Sequence, residues 1–239
     1  MAGPLLPLGK GVTALVLLMA LGAVAGLLEA QASPAAEGQQ WLMTSTKVSY
    51  AVGEWRLYGD AQFRLDGNWR QLNQYLTEAA SIYSPSKNWE LQGDFRVTVR
   101  PERLEYRPGA GVTFKALVSS WQFAVQHKYQ LDLLSTGAAN HGLRQIFFVN
   151  KRVGDRFLLS GIGGWFYRWR EGFNDIEFVR LGGGVTYLFD ALHGLNVSYF
   201  VGRQNLGDQW VTDGFTFVGL SLNVRADWTY VPAVRVVDF

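Results

Sequence analysis

From residue 55 onward, apolar and polar side chains alternate at a period of two, in runs separated by turn-forming residues. "NWELQGDFRVTVR" (88–100) sets Trp89, Leu91, Phe95, Val97 and Val99 against Glu90, Gln92, Asp94, Arg96, Thr98 and Arg100. Successive side chains of a strand point to opposite faces, so each such run predicts a strand with one oily and one charged side. The same pattern covers 55–65, 103–116, 121–132, 179–189, 218–228 and, more weakly, 195–204. Segments 72–83, 141–152 and 156–170 carry apolar residues on both faces. No segment longer than a turn favours the helical period.

The connections sort into two sets. "SPSKN" (84–88), "LVSS" (117–120), "VGD" (153–155) and "ALHG" (191–194) are hairpin-sized, whereas "DGNWRQ" (66–71), "STGAANHG" (135–142), "REGFND" (170–175) and "QNLGDQWVTDG" (204–214) are longer and polar. Short turns at one end and longer loops at the other are the pattern of an outer-membrane barrel. Counting from Glu54 to Trp228 predicts ten antiparallel strands, an even number that closes a barrel with both chain ends on the short-turn side. "WLMTSTKVSYAV" (41–52) and "TYVPAVRVVDF" (229–239) are further strand candidates, so the expected fold is an all-β, antiparallel transmembrane barrel of about 10–12 strands.

Burial energetics decide which face is covered. Turning Glu90, Asp94, Arg96 and Arg100 toward hydrocarbon would cost roughly 2–4 kcal/mol for each base near the midplane. The oily face is therefore the one out of water. Runs of this length match the ~9–11 residues a tilted strand needs to cross a bilayer and exceed the ~5–6 of globular strands. Trp55, Trp89, Trp121 and Trp228 fall where strands meet the short turns, and Trp165 and Trp169 toward the other end of theirs, as two interfacial girdles require.

The first forty residues differ in kind. Lys10 precedes an uncharged run from Gly11 to Leu28 and an Ala30-Gln31-Ala32 site, which predicts a signal peptide over 1–32. A short linker (33–40), a barrel (41–228) and a C-terminal segment (229–239) follow. The composition agrees: 48% hydrophobic, 14% aromatic and only 18% charged residues. A formal charge of +2 without a basic run gives no footprint for nucleic acid, and the absence of cysteine excludes disulfides and thiolate metal sites.

With its strands placed in this way, the chain resembles a bacterial outer-membrane β-barrel family catalogued as domain of unknown function 2490. The likeness spans about residues 41–228 and rests on "EWRLYGDAQFR", "QLNQYLTEAASIYSPSKNWELQGDFRV", "WQFAVQHKYQLDLLS" and "RLGGGVTYLFDALHGLNVSYFVGR". Within the Gln126–Asp132 run, Gln130 stands where the family tends to have Arg and Asp132 where it has Glu. The resemblance implies an outer-membrane barrel without an assigned activity or catalytic residues. Its expected partners are outer-membrane lipid and, during biogenesis, the barrel-assembly machinery and periplasmic chaperones. Trp228 or Phe239 would be the terminal aromatic of the assembly signal.

The inward set comprises Arg56, Asp60, Arg64, Glu90, Asp94, Arg96, Arg103, Glu105, Arg107, Lys115, Lys128, Asp132, Arg168, Arg180 and Arg225. Such charges either pair into a structural filling or line a narrow channel or pocket, with a preference for anions because bases outnumber acids. The histidines (His127 on the oily face, His141 in a loop, His193 in a turn) are not spaced with a serine and an acid for nucleophilic catalysis, nor grouped for a metal. The glycine runs 161–164 and 181–184 lack a phosphate-loop Lys and are expected to relieve crowding between strands. The reading is a monomeric, non-enzymatic outer-membrane barrel without metal or cofactor. A lipid-modifying barrel enzyme and a soluble periplasmic β ligand binder remain as alternatives.

Overall fold

The computed structural model describes residues 40–233; the expected signal peptide, most of the linker and residues 234–239 lie outside them. Eleven strands run β1 (Gln40–Gly53), β2 (Trp55–Asp66), β3 (Gln71–Ser86), β4 (Trp89–Arg100), β5 (Arg103–Val118), β6 (Trp121–Leu134), β7 (Ala139–Val153), β8 (Phe157–Arg170), β9 (Phe173–Leu188), β10 (His193–Asn205) and β11 (Trp210–Trp228). Each pairs antiparallel with the next, and the ring closes between β1 and β11. Closure leaves no row of unpaired edge groups. All ten segments counted between Glu54 and Trp228 are strands, including the three without clear alternation, and 41–52 is the eleventh.

The even strand number is overturned. Alternating hairpins make the first and eleventh strands run in the same direction, so β1 and β11 pair in parallel from Gln40↔Gly214 to Gly53↔Trp228. The described chain therefore enters at the loop end and leaves β11 at the turn end, not with both ends on the turn side. Residues 229–233 form no strand. They fold back across the turn-end mouth, where Lys115 Nζ donates to Val231 O (2.6 Å), Gln122 Nε2 to Pro232 O (2.9 Å), and the Ala233 amide to Glu90 Oε1 (2.8 Å).

The expected long loops are also mostly strand. Pairs such as Asp66↔Gln71, Arg170↔Phe173 and Asn205↔Trp210 carry the ladders to tight connections at 67–70, 171–172 and 206–209. Backbone pairing persists past the apolar belt, because each ladder hydrogen bond is favourable whatever side chain it carries.

Among the described residues four ladders shift register, at Ser49/Tyr50, Arg64/Leu65, Tyr83/Ser86 and Phe166/Tyr167, and two of these shifts decide where charged residues point. In the β1–β11 ladder, Ser49 pairs with Asn223 but Tyr50 with Arg225, so Val224 is an extra residue. This turns Arg225 outward with Asp227 (Nε to Oδ2 2.5 Å) and puts Ala226 opposite buried Ala51. Arg225 is not a lumen residue, and Trp228 takes the parity of Ala226 instead of the outward face of Val218. The second bulge, where Phe166 pairs with Phe178 but Tyr167 with Ile176, brings Glu177 to the lumen side.

Burial is inverted relative to a water-soluble domain. Leu57, Phe95 and Val197 are 51%, 47% and 52% exposed on the outer surface, while Glu90, Arg96 and Lys128 are 0%, 1% and 1% exposed within. Aromatic pairs ring both ends: across strands Trp55 with Tyr83 and Trp89 with Phe114 near the turns and Phe63 with Tyr75 near the loops, and along β8 Tyr167 with Trp169, also near the loops.

The interior has two sides. On β1 and β7–β11 it holds an apolar cluster of Met43, Ile146, Phe148, Ile162, Phe200, Phe215 and Phe217, closed below by Ala233, among polar groups that include Asn150, Asn196 and, toward the loop end, Arg144, Arg168 and Arg180. Glycines make room for these rings. A Cβ on Gly182 would sit 2.2 Å from Tyr199 O and 2.5 Å from Phe200 Cδ1, closer than van der Waals contact allows. Inward-facing Ile146, Phe148 and Ile162 explain why β7 and β8 read as apolar on both faces. On β2–β6 the interior is charged.

Candidate functional site: an arginine-lined cavity above a filled lumen

Through the middle of the barrel the charges are paired at contact distance. Arg96 meets Glu78 through Nε (2.7 Å) and Nη2 (2.5 Å), and Glu78 also accepts from the Tyr58 hydroxyl (2.6 Å). Lys128 Nζ lies 2.8 Å from Asp94 Oδ1, and Gln92 donates to Asp94 Oδ2 (3.0 Å). Asp60 accepts from Ser45 Oγ (2.6 Å) and Gln62 Nε2 (2.8 Å), with Lys47 at 4.0 Å. Near the turn end Lys115 pairs with Glu90 (3.0 Å). Burying a charge is costly unless it is paired and hydrogen-bonded, and here each of these has a partner.

Toward the loop end the charges change in character. Asp132 bridges Arg107 (Oδ1 to Nε, 2.5 Å) and Arg168 (Oδ2 to Nη1, 2.5 Å), and Arg168 reaches Glu177 (2.7 Å). Glu105 gathers Arg100 (2.9 Å), Arg103 (2.8 Å) and, more distantly, Arg107 (3.7 Å). Arg180 is sandwiched between the Phe178 and Phe215 rings, 4.3 Å from each centroid, a geometry in which the ring faces attract the cation.

These groups surround a cavity of about 170 Å³. Its wall includes Arg64, Arg100, Arg107, Arg144, Arg168 and Arg180, and among the described residues lining it the one carboxylate is Glu177. Trp41, Met43, Gln74, Phe166, Phe178 and Phe215 supply much of the rest. The strands place the arginines in a ring because each is an inward-parity residue near the loop end of β2, β4, β5, β7, β8 or β9. The concentration of like charge in a low-dielectric wall focuses a positive potential on the cavity.

Of the inward residues read from sequence, the cavity collects Arg64, Arg107, Arg168 and Arg180. Asp94, Arg96 and Lys128 belong to the filling below it, as does Asp60. Arg56 lies inward near the turn end of β2, and Glu105 and Asp132 stand behind the cavity wall. Sequence reading missed Glu78, Arg144 and Glu177. Glu78 and Arg144 fall in segments without clear alternation; Glu78 stands opposite Arg96, a complementary charge that could have marked it, whereas Arg144 stands opposite Lys128, a like charge that gives no such signal. Glu177 is set by a bulge.

Trp55, Trp89, Trp121 and Trp169 are exposed on the outer surface, and Trp165 is half-buried on the same parity. His127 is also exposed there. His141 accepts or donates at Nδ1 with Tyr129 Oη (2.5 Å), and His193 contacts Asp190 (2.8 Å), so among the described residues no histidine is hydrogen-bonded to a serine. Among the described residues, no group of three His, Cys, Asp or Glu side chains could hold a metal ion.

A solved structure described as the NanC porin in a rhombohedral crystal form superposes with a TM-score of 0.52, over 76% of this chain and 98% of that one, at 9% sequence identity. The fold is a porin-like closed β-barrel. At this identity the likeness concerns the fold alone. No protein-family model and no curated protein matches the sequence, so the likeness to domain of unknown function 2490 is not supported by a family model.

Proposed function

We propose that the protein is a non-enzymatic outer-membrane barrel whose lumen is filled through its middle and which presents an anion-attracting cavity at its loop end. The observation that carries this reading is the inversion of burial: leucine, phenylalanine and tryptophan outside, paired ions inside. The many large apolar side chains exposed on the outer surface support a lipid setting, since soluble monomers rarely expose apolar patches beyond a few hundred Å². The aromatic rings at both ends suit the two headgroup regions, and the tight turns suit the periplasmic side. Assembly machinery and periplasmic chaperones would deliver such a chain to the membrane, where it acts as a monomer.

The filled middle favours a cup over an open channel. The Arg96–Glu78, Lys128–Asp94 and Lys115–Glu90 pairs, each less than 10% exposed, support a lumen closed to solutes. The test is to refold the mature chain in detergent and reconstitute it in planar bilayers. Heat-modifiable migration on a gel, access of a lipid-soluble quencher to a spin label at Val97, and absence of steady ion conductance are expected. A polypeptide that stays monodisperse in plain buffer would end the membrane reading, and a steady conductance would end the closed lumen.

A further inference from the structure

We infer that the loop-end cavity is a binding site for a small dianion with an acidic group at each end, of the size of a four-carbon dicarboxylate. The inference rests on the anion-attracting reading above and names the ligand class for it.

Four observations converge. The first is the placement of charge. In the closed ring β2 and β8 are separated by five strands on one side and four on the other, so they face each other across the lumen. Arg64 stands on β2, and Arg144, Arg168 and Arg180 stand on β7, β8 and β9. Guanidinium groups thus confront one another across the space, and an anion charged at both ends relieves the repulsion on both walls at once.

The second is the character of the near wall. The hydrogen bond that Arg64 makes is to a neutral group, Gln62 Oε1 (3.2 Å), and no carboxylate lies in contact with it among the described residues. Its Nε and the indole Nε1 of Trp41 are buried donors without acceptors. Buried donors are satisfied in nearly all native structures. On this wall, among the described residues, the chain offers them a neutral acceptor, Gln74 Oε1, itself unpartnered, and no carboxylate, which suits an anionic acceptor from outside the chain.

The third is size. A cavity of about 170 Å³ is close to the ~150 Å³ that holds a benzene molecule, which limits the enclosed part of a ligand to about six to eight non-hydrogen atoms. The fourth is the lining between the charged walls. Met43, Phe178 and Phe215 offer apolar contact to a short carbon chain, and the planar guanidinium fork matches a carboxylate in two-point geometry.

The experiment is calorimetric titration of the refolded, detergent-solubilised mature protein at fixed ionic strength. The probes are succinate, butyrate, 1,4-butanediol and inorganic phosphate. Succinate should bind about tenfold to a hundredfold more tightly than butyrate, because the second carboxylate adds a charge-assisted contact of ~1.5–3 kcal/mol. Butanediol should not bind. Arg64→Gln should bring succinate down to the level of butyrate, and Arg64→Lys, which keeps the charge but not the fork, should fall between. Heat-modifiable migration confirms that each variant is folded, with Arg180→Gln as the second route should Arg64→Gln fail to fold.

Equal affinity for succinate and butyrate, or succinate affinity unchanged in Arg64→Gln, overturns the two-ended site while phosphate binding upholds the anion-attracting cavity. Failure of every anion, phosphate included, overturns both.

Discussion

Replacing Arg96 with Met tests whether the lumen is dry. The Arg96 and Glu78 side chains are 1% and 2% exposed and share two contacts, at 2.7 and 2.5 Å. Removing the cation leaves Glu78 as a buried carboxylate whose remaining support includes the Tyr58 hydroxyl at 2.6 Å. Breaking a buried pair from one side costs about 3–5 kcal/mol, and the retained tyrosine bond places the expected loss near 3 kcal/mol. The double variant Glu78→Gln/Arg96→Met removes both charges and should recover to within ~1 kcal/mol of the parent, because the desolvation cost disappears along with the attraction. Urea titration in detergent micelles, followed by tryptophan fluorescence and by heat-modifiable migration, reads both variants. A loss below ~0.5 kcal/mol for Arg96→Met would mean that water screens the pair as it does at a surface. The filled lumen, and with it the cup in place of a channel, would then be wrong.

Gly182→Ala places a methyl group 2.2 Å from Tyr199 O and 2.6 Å from Phe200 Cα, against backbone that cannot step aside, so a loss of about 1–3 kcal/mol in the same urea assay is expected, and a neutral result would refute the close approach of β9 and β10. Truncation after Tyr230 removes the partners that Val231, Pro232 and Ala233 give to Lys115, Gln122 and Glu90. Set against the freedom regained by the tail, this costs on the order of 1 kcal/mol, and bilayers should still show no steady conductance because the paired ions above are untouched. In the β9–β10 turn the His193 side chain, with the Leu192 and His193 amides, holds the Asp190 carboxyl below its usual range. A depressed folded value gives stability that is present above the unfolded value of ~3.9 and lost as pH falls through the folded one. Stability should therefore decline more steeply with acid in the parent than in Asp190→Asn, and parallel curves would remove the turn as a contributor.

Residues 88–100 show how far periodicity reaches. Trp89 through Val99 lie outward and Glu90 through Arg100 inward in the barrel, as the alternation requires, because a strand's side-chain period is set by its own backbone geometry. β3 and β7 show where it fails. Leu76, Ile82, Ile146 and Phe148 are apolar yet inward, so their strands carry oil on both faces and hide Glu78 and Arg144 among them. Whether an inward position takes an ion or a phenyl ring depends on what stands across the lumen, which a single strand does not record.

By itself, then, the order of residues determined the existence and approximate place of ten strands, the outward face of those that alternate cleanly, and the excess of basic groups within. Only the closed ring decided the rest: that β1 joins β11 in parallel, that bulges at Val224 and Glu177 exchange their faces, that the tail crosses the turn-end mouth, and that six arginines from six strands meet around one space. Periodicity is local, written in neighbours along a chain. Register, closure and encounter are properties of pairs far apart in sequence, fixed by hydrogen bonding and packing between strands after each has formed.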